Sequence, residues 1–187
     1  MILETVTRAC PGLRDALFLV SKARFLAGDI KSALSTLQHV VDNLDSTMAE
    51  AHLLMAQIQV YQGNYLSAQQ SLEVGLSFNF EVKDHPLFHL INAKVQKDQG
   101  KISEAEKTLK KALELTNLEA AKRLKKQGGN TDNSKKIAFT STDLATIYLE
   151  LADCHRIQGK AQESNRVMQE AMAKFQVFIK NYRVDID

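Results

Sequence analysis

The sequence predicts an all-α fold, an α-solenoid of antiparallel helix pairs. Three observations carry this. A glycine recurs in one local context, as Ala27-Gly28-Asp29, Gln62-Gly63-Asn64, Gln99-Gly100-Lys101 and Gln158-Gly159-Lys160. Apolar residues fall at helical spacing on both sides of each glycine. The chain also has two prolines, no tryptophan and 6% aromatics among 187 residues, which suits helices better than a β-sandwich.

The glycines lie 35, 37 and 59 residues apart, and the last interval equals one repeat plus an insertion of about 25 residues. Five positions after them come Ala33, Ala68, Ala105 and Ser164, and four further on Leu37, Leu72, Leu109 and Met168. A large apolar residue one turn beyond a small one makes the buried stripe of a helix that a second helix approaches closely. Upstream, a stripe such as His52, Met55, Ala56 and Gln59 marks the helix that the glycine ends.

These phases divide the chain into the end of a preceding helix (1–13), repeat 1 (14–47), repeat 2 (48–83), repeat 3 (84–119), a basic insertion (120–140) and repeat 4 with an extended last helix (141–187). Thr47 with Glu50, Ser103 with Glu106 and Thr140 with Asp143 have the spacing of capping boxes. Pro86 suits a first helical position, where its missing N–H costs nothing. The chain is expected to begin inside a repeat, as a segment of a longer array, because Leu3 and Val6 would otherwise lack a packing partner.

This pattern resembles the tetratricopeptide repeat, with Ala56, Ala93 and Ala152 in the first helices and Ala68, Ala105, Ala112 and Ala171 in the second. Ser21 and Ser164 stand where small apolar residues are usual. The resemblance implies a tetratricopeptide-repeat-like right-handed superhelix whose first helices line the concave side.

Composition narrows the function. A net charge of +2 gives no global field for nucleic acid, and 25% charged with 44% apolar residues is ordinary for a folded soluble chain. Cys10 and Cys154 form no disulfide framework, which fits a reducing compartment. No transmembrane segment is expected. The uncharged stretch from Ala51 to Leu72 would carry Gln57, Gln59, Gln62, Asn64, Gln69 and Gln70 into hydrocarbon. Met1-Ile2-Leu3-Glu4 lacks the basic and apolar regions of a secretory leader.

Signals for catalysis, a metal or a cofactor are poor, so no enzyme activity and no cofactor are expected. His85 and His89 have helical metal-ligand spacing without a third ligand, and Pro86 makes His85 a natural cap. Cys154 and His155 are adjacent on a helix and point about 100° apart, so they do not face one another as nucleophile and base. Gly100-Lys101 and Gly159-Lys160 are preceded five residues earlier by Val95 and Cys154, where a phosphate loop requires glycine.

Binding remains. Phasing by the repeat puts Phe18, Leu19, Lys22, Phe25, Leu53, Leu54, Gln57, Tyr61, Leu90 and Lys94 on the first helices as candidates for a partner-binding groove, or for packing between neighbouring helices. The carboxylate clamp of chaperone adaptors is not available, because its Lys and Asn places hold Phe18, Lys22, Leu54 and Leu87. Lys122, Arg123, Lys125 and Lys126 make the insertion basic, which suits either solvent or an acidic partner. The second helix of repeat 3 is expected to run to about Lys126 and stop at Gly128-Gly129, with Asn130 to Ser134 as a loop.

Particular strings are more specific than the repeat. Cys10-Pro11-Gly12-Leu13, Phe18-Leu19-Val20, Gly28-Asp29-Ile30, Ala51-His52-Leu53-Leu54-Met55-Ala56-Gln57, Pro86-Leu87-Phe88-His89-Leu90 and Tyr148-Leu149-Glu150-Leu151 resemble the large tetratricopeptide subunits of intraflagellar transport complex A. That resemblance implies a scaffold for retrograde ciliary transport and cargo entry, located in the cytoplasm, the cilium and its base. Its partners would be other protein subunits of that complex and ciliary cargo adaptors, with no nucleic acid. A generic tetratricopeptide adaptor, for a chaperone or another complex, is the alternative. A helical-repeat RNA binder would need a more basic groove.

Overall fold

The computed structural model describes residues 5, 9, 12–125 and 139–184. Among them every regular element is helical. The chain divides into two compact units, Met1–Asp84 and His85–Asp187. The first holds α1 (Arg14–Leu26), α2 (Ile30–His39) prolonged by a π turn at Val40–Leu44, α3 (Ala49–Tyr61), α4 (Tyr65–Phe78) and a 3-10 turn at Phe80–Asp84. The second holds α5 (Pro86–Asp98), α6 (Ile102–Lys125), α7 (Ser141–Ile157) and α8 (Ala161–Val184). Thr5 and Ala9 are helical, while Leu3, Val6 and the expected stop and loop at 128–134 lie outside the described residues.

Four identical turns join the helices into pairs. Gly28, Gly63, Gly100 and Gly159 have φ of +85°, +78°, +76° and +75°. The residue after each glycine donates its N–H back to a carbonyl five residues earlier, as Asp29 to Arg24 and Asn64 to Gln59, and each glycine N–H bonds the carbonyl three residues earlier. This is the Schellman closure, which satisfies the last carbonyls of the first helix and lets the chain double back within three residues. A residue bearing a Cβ is disfavoured there by its backbone conformation alone, since no atom lies within 4 Å of the place a Cβ would take.

Doubling back sets the small residues against the facing helix. Ala33, Ala68 and Ala105 have no solvent exposure, and neither does Ser21. The two serines keep the small-residue register because their hydroxyls are satisfied by main chain. Ser21 Oγ donates to the Leu17 carbonyl at 2.8 Å, and Ser164 Oγ donates across the pair to the Ala152 carbonyl at 2.9 Å. Cross-pair bonds recur twelve positions apart: Arg24 to Thr36 at 2.7 Å, Ser71 to Gln59 at 2.8 Å and Thr108 to Gln96 at 2.8 Å. In the fourth pair the equivalent residues are His155 and Val167, and the buried His155 Nδ1 has no hydrogen-bond partner among the described residues.

Within each unit the pairs stack. The second helix of one pair packs on the first helix of the next, and the two first helices also touch, α1 with α3 and α5 with α7. The first unit's core is Ala33, Leu37, Val40, Val41, Leu54, Met55 and Ile58, with Leu17, Phe18 and Phe25 packed against it. In the second unit Leu144, Tyr148 and Ala171 gather Leu113, Phe139, Val167 and Phe175. Each large apolar side chain so buried contributes roughly 1.5–3 kcal/mol.

Helix starts follow expectation in part. Thr140 and Asp143 form the capping box, each side chain bonding the other's main chain N–H. His85 caps α5, its Nδ1 accepting from Leu87 N–H at 3.2 Å, with Pro86 at the first helical position. Two expected boxes are absent. Thr47 bonds Asp45 instead, through both N–H and Oγ1, and α3 starts after Met48. Ser103 lies inside α6, and Glu106 pairs with Lys110. At α6 the turn closed by Gly100 sets where the helix begins, and before α3 the Asp45 carboxylate takes Thr47 out of the capping place.

Gly100→Ala tests the turn. The expected loss is about 1–2 kcal/mol of unfolding free energy in urea melts, with little change in helical circular dichroism. An unchanged midpoint would remove the left-handed closure from the account of the fold.

Candidate functional site

The ten first-helix candidates separate into three kinds of environment. Leu53 and Leu54 are 1% and 5% exposed, and Leu90 is also buried, so these three are core and present nothing to a ligand. This corrects the groove reading of the sequence. A first helix that packs on neighbours on two sides buries most of its circumference, and nine of the thirteen residues of α3 are buried. Phe18 and Phe25 are partly buried and lie against the first unit's core.

Leu19, Lys22, Gln57 and Tyr61 do reach the surface, or reach it in part, on α1 and α3. Leu26 joins them, 71% exposed, with Tyr61 at 73%. The Tyr61 ring meets Phe25 edge-on, with centroids 5.9 Å apart, so the exposed phenol is braced by a ring anchored in the core. Register equivalence places Leu26 and Tyr61 at the same point of successive repeats, seven residues behind Leu19 and Leu54. The first unit's inner stripe is therefore largely apolar and solvent-facing, with Lys22 as its cation.

The second unit places ions along the same stripe, with Ile157 exposed at the position equivalent to Leu26 and Tyr61. Lys94 lies 3.3 Å from Glu150, and Lys97 lies 2.6 Å from Glu150 and 2.5 Å from Asp153. Arg156 closes on Asp153 at 2.5 Å. Lys94, offered by the sequence as a partner contact, is thus engaged within the chain. Burial works to lower the Lys97 pKa, but hydrogen bonds to Asp153 and Glu150 outweigh it and leave it raised. Hydrogen bonds from Lys97 and then Arg156 hold Asp153 below the usual carboxylate range. The register carried a signal for this network, since Lys94 and Asp153 are equivalent positions of opposite sign on adjacent first helices.

Lys126 lies outside the described residues, as do the side chains of Lys122, Arg123 and Lys125. His85 Nδ1 is committed to capping, and His89 is buried beside Phe88 with ring centroids 5.4 Å apart. Cys154 is buried, and burial pushes its thiol pKa up, the opposite of what a nucleophile needs. Among the described residues no three His, Cys, Asp or Glu side chains gather as a metal site, and no helix is long and apolar enough to cross a membrane.

Known proteins share this sequence and fold. The family model described as the tetratricopeptide repeat protein 21 ARM repeat matches residues 80–186. The chain belongs to the tetratricopeptide repeat protein 21 family. A second model of that family, its second ARM domain, matches residues 1–63. Human (Homo sapiens) tetratricopeptide repeat protein 21B is 39% identical over 186 residues, covering 99% of this chain and 14% of that protein. Tetratricopeptide repeat protein 21A of Mus musculus is 37% identical over 175 residues, covering 94% of this chain and 13% of that protein. The Caenorhabditis elegans homolog is 29% identical over 174 residues, covering 92% and 12%. The chain thus spans about one seventh of the length of these relatives. The crystal structure of MamA shares the fold, with a TM-score of 0.60 over 95% of this chain and 87% of that one at 16% identity.

For this segment of the family, the burial of Leu54 makes Leu54→Asp a folding variant. It is expected to lose cooperative unfolding and helical circular dichroism, because an unpaired carboxylate would enter an apolar core. Retained dichroism would return Leu54 to the surface. Glu106 offers a second test. The hydrogen bond from Lys110, with help from the Lys160 charge, holds its carboxyl down to about 2 from 4.5. A depressed folded pKa contributes stability above pH 4.5 that is lost as pH falls toward 2. The melting temperature should therefore fall across that window, and Glu106→Gln should flatten the fall.

Proposed function

We propose that this chain is a protein-binding scaffold segment of an intraflagellar transport complex A subunit, serving retrograde ciliary transport and cargo entry. Its repeats are 14–47, 48–83, 84–119 and 141–187, with the basic insertion at 120–140. Family membership supports the assembly, and the strings around Ala51-His52-Leu53-Leu54 and Pro86-Leu87-Phe88-His89 support that particular subunit. The observation that carries the binding role is the solvent-facing apolar stripe of the first unit, Leu19, Leu26 and Tyr61. An exposed apolar stripe on a rigid helical frame favours a partner's apolar side chains over water. Lys22 at its centre adds a charge that fixes register. The partners on this reading are other protein subunits of the complex and ciliary cargo adaptors. The place of action is the cytoplasm, the cilium and its base. The chemistry is association without catalysis.

The test uses the full-length protein in ciliated cells. Leu26→Asp with Tyr61→Asp should reduce recovery of complex subunits in affinity purification at least tenfold, while the isolated chain keeps its helical dichroism. Undiminished recovery, with crosslinks mapping away from Leu19, Leu26 and Tyr61, would overturn the assignment of this stripe.

A further inference from the structure

The outer side of the first unit carries a different surface. On α4, Leu66, Gln70, Val74 and Phe78 follow every four residues and form one ridge. Leu66 is 74% exposed and Phe78 47%, and Val74 is exposed as well. Glu73 is the one charged residue among the fourteen of this helix. The equivalent stretch of α6 carries Glu104, Glu106, Lys107, Lys110, Lys111 and Glu114. A solvent-facing helix normally gains its solubility from such charges, and α4 has given them up.

A cleft of about 440 Å³ runs beside the ridge. Met55 and His52 of α3 line it, with Val41 and Asp42 of the π turn, and Val74 and Phe78 of α4. The His52 ring is fixed, its Nε2 at 2.9 Å from the Ser46 carbonyl and its face stacked with Phe78 at 6.0 Å between centroids. The π turn widens the helix locally where Asp45 N–H reaches back to the Val40 carbonyl at 2.8 Å, and such turns recur at functional sites.

The register-equivalent place in the second unit is sealed. Tyr148 stands in the place of His52 and is 1% exposed. Its hydroxyl lies 3.0 Å from Glu170, which replaces Val74, and Lys174, which replaces Phe78, lies 5.3 Å from its ring centroid. One position of the repeat is thus filled and rimmed with ions in one unit, and in the other open, with Val41, Met55, Val74 and Phe78 set among Ser, Gln and His side chains.

Asp42 is the one Asp, Glu, Lys or Arg among the residues lining the cleft, and Glu73 is exposed next to Val74 on α4, outside that lining. Asp42 accepts from the Gln38 amide at 2.9 Å on both oxygens, and Glu73 accepts from Gln69 at 2.8 Å. Neither carboxylate forms an ion pair with a Lys or Arg among the described residues. An apolar ridge of helical spacing takes another helix by ridge-into-groove packing, and two unneutralised carboxylates select cations at its edge.

We propose that the outer cleft of the first unit docks a basic amphipathic helix of a partner protein. Apolar residues of that helix, three and four apart, lie along Leu66, Val74 and Phe78 and enter the cleft over Met55. Its Lys or Arg side chains pair with Asp42 and Glu73. This surface is separate from the Leu26 and Tyr61 stripe, so either can fail without the other.

The probe is a fluorescein-labelled synthetic helix with leucine on one face and lysine on the other, titrated with the 187-residue chain by anisotropy. A counterpart with glutamate for every lysine is the control. The lysine helix should bind, with affinity falling as salt rises, and the glutamate helix should not. Asp42→Asn with Glu73→Gln, and separately Val74→Asn with Phe78→Ser, should each weaken binding at least tenfold. All four side chains are exposed, so circular dichroism should be unchanged. Leu26→Asp with Tyr61→Asp on the inner stripe should not weaken it. Equal binding of both probes, or unaltered affinity in the outer-face variants, would overturn the proposal. So would a dimer in sedimentation equilibrium that Val74→Asn with Phe78→Ser makes monomeric, which would give this face to a second copy of the chain.

Discussion

The closure of each helix pair through a left-handed glycine is the constraint on which the rest of the structure depends. Gly28, Gly63, Gly100 and Gly159 turn the chain back within three residues, so the second helix must lie against the first. That proximity is tolerable only because Ala33, Ala68, Ala105 and Ser164 face it. Larger side chains there would push the helices apart and open the contacts made by Leu37, Leu72 and Leu109. The cross-pair hydrogen bonds at Arg24, Gln59 and Gln96 report the same phase three times over. Where the phase is kept but the chemistry changes, at His155 and Val167, the bond disappears and the fold does not.

A fixed frame frees the remaining positions to diverge, and they have diverged between the two units. Residues 22, 57, 94 and 153 occupy one register position as Lys, Gln, Lys and Asp. In the second unit the opposite signs meet as the Lys94, Lys97, Glu150, Asp153 and Arg156 network, which satisfies itself. In the first unit the corresponding surface keeps Leu19, Leu26 and Tyr61 in water. On the outer side the contrast repeats, with Tyr148 sealed under Glu170 and Lys174 in one unit and His52 beneath an open cleft in the other. The second unit differs in carrying this ion network, although Leu149 and Ile157 are exposed there too.

The two family matches fall one on each side of α4. One ends at residue 63 and the other begins at residue 80, and the compact units change over between Asp84 and His85, just after the 3-10 turn at Phe80–Asp84. There Phe80 is exposed under the Lys83 ammonium at 4.1 Å, and His85 with Pro86 starts a new helix. The second match therefore begins at the 3-10 turn, five residues ahead of the structural boundary, where a proline-led helix opens the next glycine-closed pair.

The sequence by itself determined the helix pairs. A left-handed turn demands glycine, and a close helix contact demands a small residue, so both leave a record at fixed spacing that single residues display. Thr140 with Asp143 and His85 with Pro86 were legible for the same reason, being local chemistry within three residues. The π turn at Val40–Leu44 left no such record, and neither did the failure of Thr47 and Ser103 to cap, because Asp45 engages Thr47 and the Gly100 turn starts α6 ahead of Ser103. Only the tertiary structure separated Leu53, Leu54 and Leu90 from Leu19 and Tyr61. A first helix in a stacked array has neighbours on two sides, and periodicity cannot tell which apolar residues those neighbours cover. Whether Lys94 was available or already paired likewise depended on how closely α5 and α7 lie together, a distance no local pattern encodes.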